Sequence, residues 1–565
     1  MNNFLFSRLR IKNILSAALC ASTLFSTITV TNRATAQKPA QADDPMLKAM
    51  QTELDREKTL LLLPGMQRPY FIEYRMEDVH TYEAIANYGA LTREEENRQR
   101  VVRVSVRIGD YTSDNSTGRG DGVIQLAALD NDPNALRYAL WTATDEAYKI
   151  ALRTYSSKQA TLRQFQGTRS EQDFAPAKPI VHITPLVTME LDRKDWRKRI
   201  VEASGLYTND PEVRAIAQNV QFSTANIRAI AVNRYLVNTE GTILRQGYTG
   251  YNDGISVGGQ AADGMRLSRD NGTTGVNAKD LESWPALRKR TINNLKSFEE
   301  LRNAPVIAAE DYHGPVLFSD DAATDVVRGL FVPNIEADRP EMGTTARTTG
   351  AYTSSYKARV LPDILSVTDD PRQTKFAGRA VLGAYEVDDE GVPAQAVDVV
   401  VKGMLENYLI GREPVKDFPA SNGHGRAAIA QAAHSRAGVL FVKAAQPLSV
   451  DEMNKRLLEL AKVQSRDVYA VETLGGELAP RLLYRVHPDG SRQLVRGAVF
   501  DELDPRTLRS DIVAAGNDPY VSDSLGAIPQ TTITPSLLFD DVGVKRATLG
   551  QEKLPYYAPP ALDGR

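Results

Sequence analysis

The chain has 565 residues, 42% of them apolar, with 68 basic side chains against 71 acidic ones and a single cysteine. That is enough apolar sequence for a large buried core in two or three domains. The mildly acidic balance with interspersed signs argues against nucleic acid or an anionic membrane surface as main partner, because both select for concentrated positive charge.

The N-terminus reads as an export signal. Arg8, Arg10 and Lys12 precede an apolar stretch from Ile14 to Val30, and Ala34-Thr35-Ala36 supplies the small residues for cleavage before Gln37. Ser16, Ser22, Thr23, Ser26, Thr27 and Thr29 interrupt that stretch, whereas a spanning anchor wants roughly 20 firmly apolar residues. Leu19 is a poor residue immediately before a lipidated Cys20. The expected mature protein is periplasmic or extracellular, with no membrane attachment after cleavage. Removing the signal takes away four of the 68 basic residues, moves the net charge from −3 to −7, and removes Cys20. Disulfides, a thiol nucleophile and thiolate metal ligands are thereby excluded from the mature chain.

Residues 37–62 form a polar, helix-prone lead-in. Val102, Val104, Val106 and Ile108 alternate with polar residues, the period of a half-buried strand, and the preceding charge run Arg93–Arg98 reads as a solvated helix end or loop. Leu136–Tyr155 and Asp192–Leu206 read as helices. Ile227–Val237 and Ile243–Gly247 predict a hairpin turning at Glu240-Gly241, and Trp284–Ala304 a further helix. The main domain boundary is expected near Pro305, giving a signal over 1–36 and domains over 37–305 and 306–565.

Beyond it, Pro315–Phe318 is a short strand, and Ser319 is the expected N-cap of a helix that starts with Asp320 and Asp321. Strand-like runs follow at Ala380–Tyr385, Ala396–Val401 and Val439–Val442, and Ser449 with Glu452 forms a capping box for a helix through Val463. Helices and strands mix without strict alternation, so the class is α+β: an N-terminal mixed domain, then a mainly β C-terminal domain with a few helices.

Gly254-Ile255-Ser256-Val257-Gly258 matches G-x-S-x-G, but its glycine-rich flanks suit a loop better than the strand-to-helix turn of a nucleophile elbow. The six histidines, at 80, 182, 313, 424, 434 and 487, include no pair at helical spacing and no H-E-x-x-H. Asp320, Asp321 and Asp325 are explained by a solvated, dipole-matched helix start. Asp388-Asp389-Glu390-Gly391 alone is either an acidic turn or part of a site.

Several short motifs nevertheless recur in order: Asp388-Asp389-Glu390-Gly391-Val392-Pro393, Gly403, Glu406-Asn407-Tyr408-Leu409 with Arg412, and Ser421-Asn422-Gly423-His424-Gly425-Arg426. Together they resemble the TldD/PmbA family of metallopeptidase-related proteins, also called modulators of DNA gyrase. Pro315–Phe331, Ala437–Val450 and Gly516–Val544 fit the flanking family segments. Catalytic members carry H-E-x-x-x-H on the helix that here begins at Ser319. On the simplest alignment Arg328, Gly329 and Pro333 take the places of the two histidines and the glutamate, Arg328 and Pro333 those of the histidines. The family's third ligand, a cysteine, is missing from the mature chain.

The resemblance implies a PmbA-type subunit: no zinc although zinc is the family metal, no catalytic residues, an extended peptide or protein as ligand, and a homodimer or a heterodimer with a TldD-like relative. A peptidase with different ligands would draw on His313, Asp321, Asp325, Glu390 and His424. An exported structural or binding domain that keeps only the fold is the third reading.

Overall fold

The computed structural model describes residues 44–116, 122–163, 171–308, 311–340, 346–548 and 560; the predicted signal segment lies outside them. The first half contains α1 (Pro45–Leu60), β1 (Phe71–Asn87), β2 (Ala90–Arg107), β3 (Val123–Ala127), α2 (Pro133–Leu162) and β4 (Val181–Ile183). It continues with α3 (Arg193–Asn209), β5 (Phe222–Asn238), β6 (Ile243–Gln260), β7 (Arg266–Gly275) and α4 (Trp284–Asn303). One sheet holds all seven strands in the order β3-β2-β1-β5-β6, with β4 against the start of β6 and β7 along its end.

The period of two in these strands is kept to an unusual length. Ile72, Tyr74, Met76, Tyr82, Ala84 and Ala86 alternate along β1 and are all buried on one face. The first three pack under α1 and α2, the last three under α3 and α4. The other face carries Arg75, Glu77 and Val79, and it meets the C-terminal half: Arg75 donates to the Gln431 carbonyl, and Val79 packs near Ile429 and Leu525. One sheet face is thus the domain's own core, while the opposite one is a seam.

The second half opens with β8 (Tyr312–Phe318), α5 (Asp320–Leu330), β9 (Leu365–Asp369), β10 (Lys375–Phe376), β11 (Arg379–Ala380), β12 (Val397–Val401) and β13 (Met404–Leu405). Then come β14 (Gly425–Ala427), β15 (Ala433–Ser435), β16 (Val439–Ala444), α6 (Val450–Gln464), β17 (Val468–Leu474), β18 (Pro480–Val486) and β19 (Arg492–Val495). The chain closes with β20 (Ala498–Asp501), α7 (Pro505–Ser510), β21 (Ile512–Ala515), β22 (Tyr520–Leu525), β23 (Pro529–Thr534) and β24 (Leu537–Arg546). Two larger sheets form, β13-β12-β9-β16-β23-β22 and β19-β18-β17-β8-β24-β20 with β21 on β24. Val367 and Leu440 of one and Phe318, Val471 and Phe539 of the other enter a common core with the Ala322, Val326 and Val327 stripe of α5. α6 covers the outer side of β8 and β17 through Met453, Leu457 and Ala461, and its Ser449–Glu452 capping box is present. The architecture is α+β.

Four local expectations are corrected. Arg93–Arg98 lies in β2, not in a helix end or loop, because cross-strand pairs such as Arg93–Glu83 and Arg98–Asp78 support an exposed strand. The glycine-rich segment around Ser256 is the end of β6 rather than a loop, and Ser256 donates to Asp270 across the β6–β7 pair. Of the run Ala380–Tyr385 only Ala380 is strand, as the end of β11; the amides of Leu382 and Gly383 donate instead to Asp523 Oδ1 and Thr531 Oγ1. Ser319 makes no capping bond, since its hydroxyl turns to the Val471 carbonyl at 3.4 Å.

Candidate functional site

Two of the motifs that carry the family resemblance, Asp388-Asp389-Glu390-Gly391 and the Gly425-Arg426 end of the later one, meet at the seam with Arg412, while Tyr408 and Leu409 lie in the core of the C-terminal half. Asp388 accepts from the amides of Glu390, Val392 and Gly425 at 3.0, 2.8 and 2.9 Å. Asp389 accepts from Arg426 Nε at 3.0 Å and the Ala427 amide at 2.8 Å, and pairs with Arg234 of β5. Arg234 also donates to Glu77 of β1 at 2.8 Å. Burial works against ionised Asp389, but the guanidinium groups of Arg234 and Arg426 outweigh it and hold the carboxyl well below its ordinary range. Among the described residues no cation pairs with Asp388, and burial next to Glu390 pushes it well up.

Glu390 accepts from the Arg412 amide at 2.6 Å and fits between two glycines. A Cβ on Gly425 would stand 2.0 Å from its Oε2, and one on Gly411 2.7 Å. Burial raises its carboxyl to about 7, against the pull of Arg412. Fully buried Arg412 reaches across the seam to the Ala175 carbonyl at 2.9 and 2.8 Å and to Glu240 Oε1 at 2.7 Å, and lies over the Phe174 ring at 4.1 Å. This cluster fastens one half to the other. Asp388, Asp389 and Arg412 are each under 2% exposed, so a large ligand has no access to them.

The peptidase candidates do not converge. His424 is fully buried, with Nε2 3.1 Å from Asp369 Oδ1 and Nδ1 3.1 Å from the Asn422 carbonyl. His313 is exposed on β8, 3.9 Å from Asp541. Asp321 and Asp325 lie on α5, where burial raises both carboxyls. Arg328 pairs with Asp325 and donates to Ser522 Oγ at 3.2 Å; Gly329 lies against Leu478, and Pro333 sits in the turn after the helix. Among the described residues no three His, Cys, Asp or Glu side chains form a group able to hold a metal ion.

Among the described residues, clefts large enough for a ligand include the following two. One, of about 580 Å³, is lined by Arg98, Arg100 and Arg245, but Asp78 answers the first two and Asp44 the third. The other, of about 530 Å³, lies between the halves, walled by β7, the start of α5, Thr473 and β22. Both β7 and β22 are outer strands of their sheets, so their free backbone edges border this cleft. Asp320 and Asp321 line it, and Asp320 takes φ +47°, a left-handed conformation uncommon outside glycine. Sequence reasoning singled out Asp321 but missed Arg269, Asp270 and Asp523, which line the same cleft. Nothing in a glycine-rich strand marks such residues in advance.

Residues 311–546 match the model of the PmbA/TldA metallopeptidase C-terminal domain. No curated protein matches the chain. Among solved structures it is similar to a candidate modulator of DNA gyrase from Thermotoga maritima, at 16% identity and TM-score 0.58, over 88% of this chain and 99% of that one. TldE from Thermococcus kodakarensis matches at 12% identity and TM-score 0.57, again over 88% and 99%. A candidate modulator of DNA gyrase from Bacteroides thetaiotaomicron gives 12% and 0.57, over 88% and 98%. At such identities these likenesses speak for the fold, and the domain match marks residues 311–546 as similar to the PmbA/TldA C-terminal domain.

Proposed function

We propose that the protein is an exported, non-catalytic TldD/PmbA-type subunit that holds extended peptide in the cleft between its halves. The observation that carries this is the free edge of β7 along a cleft of about 530 Å³, which offers a peptide backbone a strand to pair with. Where catalytic relatives carry the zinc motif, α5 and the turn after it offer Arg328, Gly329 and Pro333, none of them a metal donor. Arg328, held by Asp325 and Ser522, sets a fixed positive charge where a cation would have to bind. These residues do not fit zinc. A second copy or a metal-bearing relative would complete the assembly, and export would follow from cleavage before Gln37.

The test is elemental analysis of the purified protein after mild dialysis, alongside incubation with an unstructured peptide library. The expected result is no stoichiometric transition metal and no cleavage, with peptide retained on the protein. Stoichiometric metal with chelator-sensitive cleavage would overturn the non-catalytic reading.

A further inference from the structure

The charges around this cleft are mostly answered within the protein. Asp270 pairs with Arg481, Asp523 with Arg379, and Glu472 with Arg492. Three groups have no such answer. Arg269, on β7, is only 6% exposed. Its Nη1 donates to Thr473 Oγ1 at 3.1 Å, its Nε has no partner, and among the described residues no carboxylate lies within ion-pair distance of it. The other buried guanidinium groups of the seam, Arg234, Arg412 and Arg426, each have a carboxylate. Burial is the largest influence and lowers the Arg269 guanidinium below its ordinary range, with Arg481 adding to it and Tyr484, Asp270 and Glu472 offsetting it only in part from beyond ion-pair distance. At the start of α5, Asp320 and Asp321 likewise meet no cation within ion-pair distance among the described residues, and burial raises both carboxyls.

The cleft therefore presents one unanswered cation and two unanswered carboxyl groups, joined by a free strand edge. We infer that it selects the C-terminal end of a basic peptide: the free α-carboxylate on Arg269, and a lysine or arginine side chain of the same peptide on Asp320 and Asp321. A guanidinium is the group best shaped for a carboxylate, and pairing there supplies the partner that Arg269 lacks. The inference rests on the peptide-binding reading and adds to it which end and which side chains are read.

The test is fluorescence anisotropy on the full chain with a lysine-containing pentapeptide labelled at its N-terminus, as free acid and as C-terminal amide, and with a lysine-to-alanine version. The acid is expected to bind about tenfold more tightly than the amide. Arg269→Gln should abolish that gap. Asp321→Asn, a milder change on a partly exposed residue, should keep the gap and lose the preference for lysine. Equal binding of acid and amide by the unsubstituted protein, or an acid preference that survives Arg269→Gln, overturns this inference while the peptide-binding reading stands. Binding of neither peptide overturns both. Displacement by millimolar inorganic phosphate with no acid–amide gap would mark a phosphate site and overturn the peptide-terminus assignment.

Discussion

Glu336 gives the sharpest test of how burial sets the chemistry of the C-terminal half. Its Oε1 accepts from the Ala437 amide at 2.9 Å and from Gln530 Nε2 at 3.3 Å, while Arg436 stays 3.6 Å from Oε2. Burial is the largest influence and raises the carboxyl from its ordinary 4.5 to about 7, despite the Ala437 amide and Arg436. The folded state thus keeps a proton that the unfolded chain releases near pH 4.5, and stability falls as pH rises through that interval. From 4.5 to about 7, at about 1.4 kcal/mol per pH decade, the loss is about 3 kcal/mol. It is absent below pH 4.5 and complete by about pH 8. Glu336→Gln imitates the protonated acid and removes this dependence. Urea unfolding at pH 4.5 and pH 8 should find the variant close to the parent at the lower pH and more stable by about 3 kcal/mol at the higher. A stability difference that is the same at both values would refute the reasoning.

Two further substitutions probe the seam. Arg412→Ala removes the bonds to Ala175 and Glu240 and leaves the half-buried Glu240 without its cation, a loss of about 3 kcal/mol; it should appear in denaturant unfolding and as faster proteolysis near Phe174. Gly425→Ala would set a Cβ 2.0 Å from Glu390, so a cost of about 1–3 kcal/mol is expected, read as a lowered Tm; an unchanged Tm would show that Glu390 moves aside freely.

The parts legible from sequence were those whose causes are local. The stripes of α2 and α3, the Ser449–Glu452 box and the Glu240-Gly241 turn rest on neighbours a few residues away. The end of β6 was misread because glycines lower strand propensity, yet its glycines answer tertiary crowding: a Cβ on Gly250 would meet Leu525 at 2.3 Å, and one on Gly258 would meet Phe222 at 2.5 Å. Arg93–Arg98 was misread for a similar reason, since its partners Glu83 and Asp78 come from the neighbouring strand β1 and Arg193 from the distant α3. The D-D-E-G and G-H-G motifs were visible as letters, but that they fasten two halves together depends on Arg234 and Glu240. Arg269 was illegible in principle, because what distinguishes it is that no carboxylate among the described residues comes within ion-pair distance of it, a property of the fold and not of the strand that bears it.

The two-faced alternation of β1 has a consequence for how this chain can change over time. Substitutions on either face alter one contact at a time, but a single inserted residue between Ile72 and Val79 would exchange the faces, sending Arg75 and Glu77 under α1 and α2 and Met76 into the ionic seam. Such a strand can drift far in composition while its length stays frozen. Identities of 12–16% alongside a retained fold are what that constraint permits, and the lengths of β1 and β5 should vary less among relatives than their residues do.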